Sequence, residues 1–354
     1  MNNPFVFGKV VRGSNFCNRK TEIQAIIKTV SSKNNLVIVS PRRYGKTSLV
    51  INALERNNIP FLFIDCSNLI NENVFLERLT STYLERLKKG DVLEKIKYLS
   101  KSVNIEYTFS VEGMSVKVAK YNDSSLDKLI KQISKDYVLV FDEFQELFVL
   151  DVNLVKRLRS VMQFVKQSFI FLGSRKHLLL YLFSNQKSPF YNFAQMINLT
   201  KISEPEWKAF IKAKCIKTKV RLTEDDIAAI LKLSEAIPFY VQYLSYHFWE
   251  ERIRDLSINP TEIIKKIISS NEYIYEELYS RLTESQRKAL NILVKEEDKF
   301  FSERVLKEHN LKNPQLLNKA LASLEEKGII ERNGRYQFND PLFKQYLKFI
   351  NQKV

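Results

Sequence analysis

The sequence predicts an α/β fold: a parallel sheet with helices on both faces, followed by an all-helical segment and a C-terminal winged helix. Three observations carry that expectation. Short continuous apolar runs of strand type at Leu36–Val39, Phe61–Cys66, Tyr137–Phe141 and Phe169–Leu172 alternate with helical patterns, as strands buried on both faces do. Strand signals disappear between residues 203 and 282, where helical patterns remain. From residue 283, three helical patterns precede Ile329–Phe338 (IIERNGRYQF), a hairpin with an Asn333-Gly334 turn. The expected organisation is therefore an α/β domain at 1–200, a helical domain at 201–282 and a winged-helix domain at 283–354.

Taken in order, residues 16–30 begin with a polar cluster and continue as an amphipathic helix through Ile23, Ile26, Ile27 and Val30, with Asn18-Arg19-Lys20 at its start. Helical patterns at Val74–Leu87 and Val92–Leu99 follow the second strand. The stretch Val103–Val118 alternates, turns at Glu112-Gly113 and alternates again, which predicts a β-hairpin inserted at about 103–118. Helices are expected at Leu126–Ile133 and Leu154–Val165. Ser203-Glu204-Pro205-Glu206 is a capping box with proline in the first turn. Ala236-Ile237-Pro238 interrupts a helical stretch, and the aromatic run Phe239–Trp249 reads as core, with His247 a packed or surface residue. Thr283 and Gln286 form a second capping box. Ser302–Glu308 is a short helix, and Pro314–Lys327 buries Leu317, Ala320, Leu321 and Leu324 before stopping at Gly328.

Two motifs carry chemistry. In Leu36–Val50 (LVIVSPRRYGKTSLV) an apolar strand runs into a polar loop and then Gly45-Lys46-Thr47-Ser48 at a helix start. That is the context of a phosphate-binding loop, G-x-x-x-x-G-K-[ST]. The loop Ser40, Pro41, Arg42, Arg43, Tyr44 and Gly45, with Ser48 and the helix N-terminus, would surround phosphates. Lys46 would reach the β- and γ-phosphates, and the Thr47 hydroxyl would ligate Mg²⁺. Ser40 stands where the pattern has glycine, at an expected conformational cost. In Tyr137–Gln145 (YVLVFDEFQ) a buried-type strand ends in Asp142-Glu143. Asp142 would hold Mg²⁺, and Glu143 would orient and deprotonate the water that attacks the γ-phosphate. Either motif alone could be a chance match or a solvated turn. Both in this order, each at a strand end, point to nucleotide binding. A further strand ends in Gly173-Ser174-Arg175, where a polar or cationic residue could sense the γ-phosphate; a surface Arg opening a helix is the plainer alternative.

At 354 residues, 45% hydrophobic and 27% charged, the chain has the make-up of a globular protein with room for two or three domains. No apolar run approaches membrane-spanning length, so no membrane association is expected. Three scattered cysteines (Cys17, Cys66, Cys215) form neither a metal pair nor a disulfide framework, which suits a cytoplasmic protein. The net charge of +16 is uneven: residues 1–60 carry +8, around the phosphate loop, and residues 283–354 carry +4. The winged helix could place Gln315, Asn318, Lys319 and Ser323 in a DNA major groove, with Arg332 and Arg335 of the wing on phosphates. A winged helix used for protein contacts or as a lid is the other reading.

These motifs together resemble the archaeal ATPase family within the STAND branch of AAA+ P-loop ATPases. SPRRYGKTSL is similar to its phosphate loop, LVFDEFQEL to its acidic strand and FLGSRKHLL to its sensor strand. SEAIPFYVQYLS is similar to its Gly-x-Pro sensor helix, and YQFNDPLFKQYL to its C-terminus. The resemblance implies an ASCE-type sheet, a helical lid domain, a winged helix and ATP as the nucleotide. It implies Arg19 near the adenine side, Ser174 or Arg175 as first sensor and Pro238 as a lid residue touching nucleotide. Three positions depart from the family pattern: Ser40 for a glycine, Ala236 for the glycine of Gly-x-Pro, and Phe193 where an arginine is usual. If that arginine serves as a finger, turnover would be slow.

The sequence thus leads to an ATP- and Mg²⁺-dependent ATPase acting as a nucleotide-controlled switch, with DNA, a protein partner or a second copy of the chain as candidate partners. Its competitor is a DNA-binding or regulatory module that holds ATP structurally. A third reading is an origin-recognition-type ATPase, which shares the same three parts.

Overall fold

The structure, a computed structural model, describes the chain except residues 1, 88–93, 95, 98, 100, 102–104, 111–112, 119–122, 219, 296–299, 312 and 353–354, and gives the backbone alone at 105–110, 113–118, 123, 176 and 333. It forms two compact units, Val10–Lys201 and a second that joins the N-terminal segment up to Lys9 with Ile202–Val354.

The first unit contains α1 (Lys20–Ser31), β1 (Leu36–Val39), α2 (Lys46–Arg56), β2 (Phe61–Asp65), α3 (Glu72–Arg86), β3 (Ile105–Ser110), β4 (Gly113–Val118), α4 (Asp123–Ile133), β5 (Val138–Asp142), α5 (Gln145–Leu150), α6 (Val152–Met162), β6 (Phe169–Gly173), α7 (Lys176–Ser184) and β7 (Gln195–Asn198). Five strands make one parallel sheet in the order β2-β5-β6-β1-β7. Every residue of Leu36–Val39 and Phe169–Gly173 is buried. Because successive side chains point to opposite faces, apolar layers cover both sides of the central strands. Val37, Val39, Leu62, Ile64, Leu139, Phe141, Phe169 and Phe171 lie in one core with Phe75, Leu79, Leu126, Leu158 and Leu179 of the helices. The strands β3 and β4 form the expected antiparallel hairpin as a separate sheet; Val103, Val111 and Glu112 lie outside the described residues. So does half of the helix expected at Val92–Leu99, of which Ile96 and Leu99 are described and buried. The edge strand β7 was not anticipated, since QMIN is largely exposed and carries no apolar run. Nor was α5, whose six residues are too few to show a helical period.

The second unit contains α8 (Glu204–Ile216), α9 (Glu224–Ser234), α10 (Pro238–Arg254), α11 (Pro260–Ser270), α12 (Glu272–Ser280), α13 (Glu284–Lys295), α14 (Glu303–Glu308), α15 (Pro314–Glu326), β8 (Ile330–Asn333), β9 (Arg335–Phe338) and α16 (Pro341–Gln352). The capping box at α8 forms through Ser203 and Glu206, and that at α13 through Thr283 and Gln286. Arg252 of α10 binds Asp226 of α9 with both ends of its guanidinium, at 2.9 and 2.8 Å, and both side chains are buried. The hydrogen bonds to Asp226 hold the arginine's pKa above its ordinary value, against the opposing effect of burial. The N-terminal segment is stitched to α10: Asn3 Nδ2 donates to the Tyr246 carbonyl at 3.0 Å, and the Phe7 ring meets Phe239, Tyr243 and Tyr246.

The C-terminal helices and the β8–β9 hairpin make the winged helix, with Gly334 at φ 76° in the turn. Tyr275 of α12 packs on Phe343 and Tyr346 of α16, which ties α12 to this part of the unit. Gln315, Asn318, Lys319, Arg332 and Arg335 are exposed. Ser323 is not available as expected. Its Oγ accepts from Gln286 Nε2 at 2.9 Å, so the hydroxyl ties α15 to α13.

Ala236, which stands where the Gly-x-Pro pattern has glycine, adopts a left-handed conformation (φ 57°), as does Glu235 before it (φ 49°). A side chain there costs about 1–2 kcal/mol. Ala236→Gly is therefore expected to raise the stability of this unit by about 1 kcal/mol net of the extra freedom of the unfolded chain. Chemical denaturation followed by circular dichroism checks this; a destabilised variant would contradict the strain.

Candidate functional site

The site assembles at the carboxyl edge of the parallel sheet, the edge at which such sheets bind ligands. β1 delivers the loop 40–45, β5 delivers Asp142-Glu143, and β6, lying between them, delivers Gly173-Ser174. Gly45 precedes α2 with φ 84°, a conformation that favours glycine, and no side chain caps the helix. The first N–H groups of α2 therefore point out of the helix end with their partial positive charge. The loop's other left-handed residue is Arg43 (φ 71°). Ser40 has a negative φ, so the expected cost of replacing glycine there does not arise; it is fully buried and its hydroxyl donates to the Pro41 carbonyl at 3.0 Å.

Lys46 is buried, and its ammonium spans the loop to the carbonyls of Ser40 (3.2 Å) and Pro41 (3.3 Å). Thr47 Oγ1 donates to Asp142 Oδ2 at 2.7 Å. Burial raises the Asp142 carboxyl above its ordinary value of 3.8, and the Glu143 charge adds to this; the Thr47 hydroxyl, Lys46 and the Glu143 N–H oppose it. Arg42, Arg43 and Arg175 are exposed, whereas Tyr44 is buried. Ser48 Oγ accepts from Val11 N–H at 3.2 Å, and Asn52 pairs with Val11 and Gly13, so residues 11–13 run along α2.

Glu143 takes up a left-handed conformation (φ 49°). The residues on either side hold it there. Its own N–H donates to Asp142 Oδ1 at 3.0 Å, Phe144 N–H donates to the Leu172 carbonyl at 2.9 Å, and the Phe144 ring is fully buried against Phe171 at 4.6 Å. Burying one such ring contributes about 1.5–3 kcal/mol, enough to offset the strain. The Glu143 carboxylate accepts three hydrogen bonds on Oε2: from Ser174 N–H (3.1 Å), Ser174 Oγ (2.8 Å) and Gln145 Nε2 (2.5 Å). Arg42 Nε reaches Ser174 Oγ at 3.4 Å. Arg175, the other sensor candidate, pairs with Glu146 at 3.6 Å instead.

Arg19 precedes α1 with φ 73° and is buried; its Nη1 donates to Glu22 at 2.8 Å, while Nη2 has no hydrogen-bond partner. A buried guanidinium nitrogen without an acceptor fits a site that supplies one from a ligand. Pro238 lies in the second unit, at the first position of α10. Two features escaped the sequence reading. The motifs assign no role to Gln145, which follows Glu143 by two residues, or to Gly173 at the end of β6. An amide two residues after a strand-end carboxylate was the available signal.

A glycine-hinged loop opening a helix, a lysine across it, a hydroxyl on the next residue and a carboxylate from a strand once removed define a P-loop nucleoside triphosphatase. A family model for an ATPase domain predominantly from Archaea matches residues 16–244, and the chain belongs to that family. A model described as "probable winged helix domain" matches residues 273–349, taking in all but the first residue of α12. Among solved structures the chain is similar to a Walker-type ATPase of Pyrococcus abyssi, with a TM-score of 0.67 at 18% identity over 98% of this chain and 99% of that one. It is also similar to the Orc1 protein of Aeropyrum pernix in complex with DNA, with a TM-score of 0.53 at 11% identity over 97% and 96%. At such identities the likeness is one of fold. No curated protein matches the chain. Among the described residues no helix is long and apolar enough to cross a membrane.

Only the ionised carboxylate of Asp142 attracts a divalent cation. Since burial raises its pKa, protonation on acidification sets in at a higher pH than for an exposed aspartate. With Asp142 holding Mg²⁺, as the sequence predicts, the Mg²⁺-dependent part of ATP affinity is expected to weaken from that point downward, and Asp142→Asn is expected to reduce it at every pH. Calorimetric titration with ATP, with and without Mg²⁺, checks both; an Asp142→Asn protein that keeps its Mg²⁺ response would contradict this placement.

Proposed function

We propose that this protein is a cytoplasmic, Mg²⁺-dependent ATP hydrolase of the AAA+/STAND type that works as a nucleotide-controlled switch. The observation that carries the proposal is the convergence of Lys46, Thr47, Asp142 and Glu143 at one sheet edge, with Thr47 and Asp142 already 2.7 Å apart. Lys46 and the N-terminal N–H groups of α2 bind the β- and γ-phosphates, with Ser40 to Ser48 as the cradle. Thr47 and Asp142 would hold Mg²⁺, which when bound neutralises charge building on the phosphates. Glu143 orients the attacking water and takes its proton. Ser174, bonded to Glu143 and within reach of Arg42, is the better placed of the two sensors. Arg19 serves the base, and Pro238 belongs to a helical lid at 201–282 that responds to the nucleotide. The division into ATPase domain at 1–200, lid, and winged helix at 283–354 is part of this proposal.

The winged helix is assigned to DNA. Gln315, Asn318 and Lys319 offer polar groups along one exposed helix, and Arg332 and Arg335 flank the wing. The structural neighbour from Aeropyrum pernix is described as being in complex with DNA, which fits this use. A second reading, a DNA-associated module that holds ATP and turns it over slowly, draws on Phe193, which stands where the family pattern has an arginine.

Steady-state hydrolysis of the wild type and Glu143→Gln, with and without duplex DNA, tests both. The expected result is turnover that falls by about 10²–10⁴ in Glu143→Gln with ATP affinity retained, and that rises with DNA. Equal turnover in the two proteins would overturn the role of Glu143. ATP binding that Lys46→Ala abolishes, without turnover in the wild type, would select the second reading.

A further inference from the structure

Gln145 is fully buried at the start of α5, directly beneath the proposed reaction site. Its amide nitrogen donates to Glu143 Oε2 at 2.5 Å and lies 3.4 Å from Glu146 Oε1. Two carboxylates around one end of the amide fix that end as the donor, since an oxygen there would face two anions. The amide oxygen is buried and has no hydrogen-bond partner. It lies instead against the backbone of β6: a Cβ built on Gly173 would sit 2.2 Å from Gln145 Oε1 and 3.1 Å from the Leu179 methyl groups. The slot that seats this amide therefore exists only because residue 173 is glycine. Leaving a buried carbonyl oxygen without a donor is unfavourable. The same amide places its nitrogen on the Glu143 carboxylate.

We propose that Gln145 is a positioning residue for hydrolysis: seated in the slot left by Gly173, it and Ser174 hold Glu143 by Oε2 and leave Oε1 as the atom that takes the proton of the attacking water. The inference rests on Glu143 being the base, as proposed above. Ser174 grips Oε2 from the tip of β6 and Gln145 from the start of α5, so the carboxylate is fixed from both sides of a left-handed residue that is itself held by Phe144. Gln145 and Gly173 act as a pair, because a side chain at 173 would expel the amide.

The test uses the full-length protein and five variants: Gln145→Met, which keeps the volume and removes the donor; Gln145→Ala; Gly173→Ala; the Gln145→Ala/Gly173→Ala double; and Glu143→Gln. The expected result is a fall in kcat of about ten- to a hundredfold in Gln145→Met and Gly173→Ala, with KM and ATP affinity unchanged. The double variant is expected to be no slower than Gln145→Ala, because the added methyl then enters a space already vacated. Wild-type kcat in both Gln145→Met and Gly173→Ala, with Glu143→Gln inactive, would overturn the positioning role and leave Glu143 as base. Loss of ATP affinity in step with kcat would make Gln145 a structural residue and also overturn it. Full activity in Glu143→Gln, or a wild type without turnover, would instead remove the reading beneath both.

Discussion

The hydrogen bond from Thr47 to Asp142 joins the first turn of α2, which follows β1, to the end of β5, a strand that is not a neighbour of β1, and the rest of the first unit serves to make that possible. β6 lies between β1 and β5, so the loop and the acidic residue approach each other across its carboxyl end. That end must be low and small, and it is: β6 finishes at Gly173, paired in register with Val39 of β1. The aromatic layer of Phe141, Phe144, Phe171, Phe183 and Phe190 lies below it, fixing the strand ends that carry polar groups on the opposite side. Rigidity at the edge is built from burial one residue away. Phe144 anchors Glu143, and Leu172 and Gly173 anchor Ser174.

Electrostatics at this edge are poised for an anion and a divalent cation together. Lys46 and the free helix end supply positive potential, while Asp142 and Glu143 follow one another at the next functional strand. Asp142 tolerates burial because a hydroxyl, a lysine and a main-chain N–H all face it, yet burial still wins and its pKa stays raised. A group in that state gains from a cation more than an exposed carboxylate would. Glu143 is held by hydrogen bonds to Ser174 and Gln145, and that grip couples the acidic strand to the strand tip beside it.

Much of this was legible in the sequence because the signals are local. Continuous apolar runs gave β1, β2, β5 and β6, the Gly45-Lys46-Thr47 and Asp142-Glu143 patterns gave residues that the fold brings together at one sheet edge, and Asn333-Gly334 gave the wing. What was missed depends on backbone conformation or on contacts between distant residues. Ser40 looked costly, yet the left-handed turn falls on Arg43 and Gly45, which a consensus pattern does not reveal. Ser323 looked exposed by helical phase, but Gln286 lies a helix away and claims its hydroxyl. Gln145 needs Gly173 to be seated, and residues 28 apart in sequence leave no periodic trace. The strand β7 pairs at the edge with an exposed, polar sequence, so hydropathy cannot find it.

The central claim is that the tips of β1 and β5 form one Mg²⁺-nucleotide site. The most direct measurement is a crystal structure of the wild-type protein with Mg²⁺ and a non-hydrolysable ATP analogue. The expected result is Lys46 turned from the Ser40 and Pro41 carbonyls to the phosphates, with Thr47 and Asp142 both facing the metal. A nucleotide bound elsewhere, or a metal that engages neither residue, would contradict it.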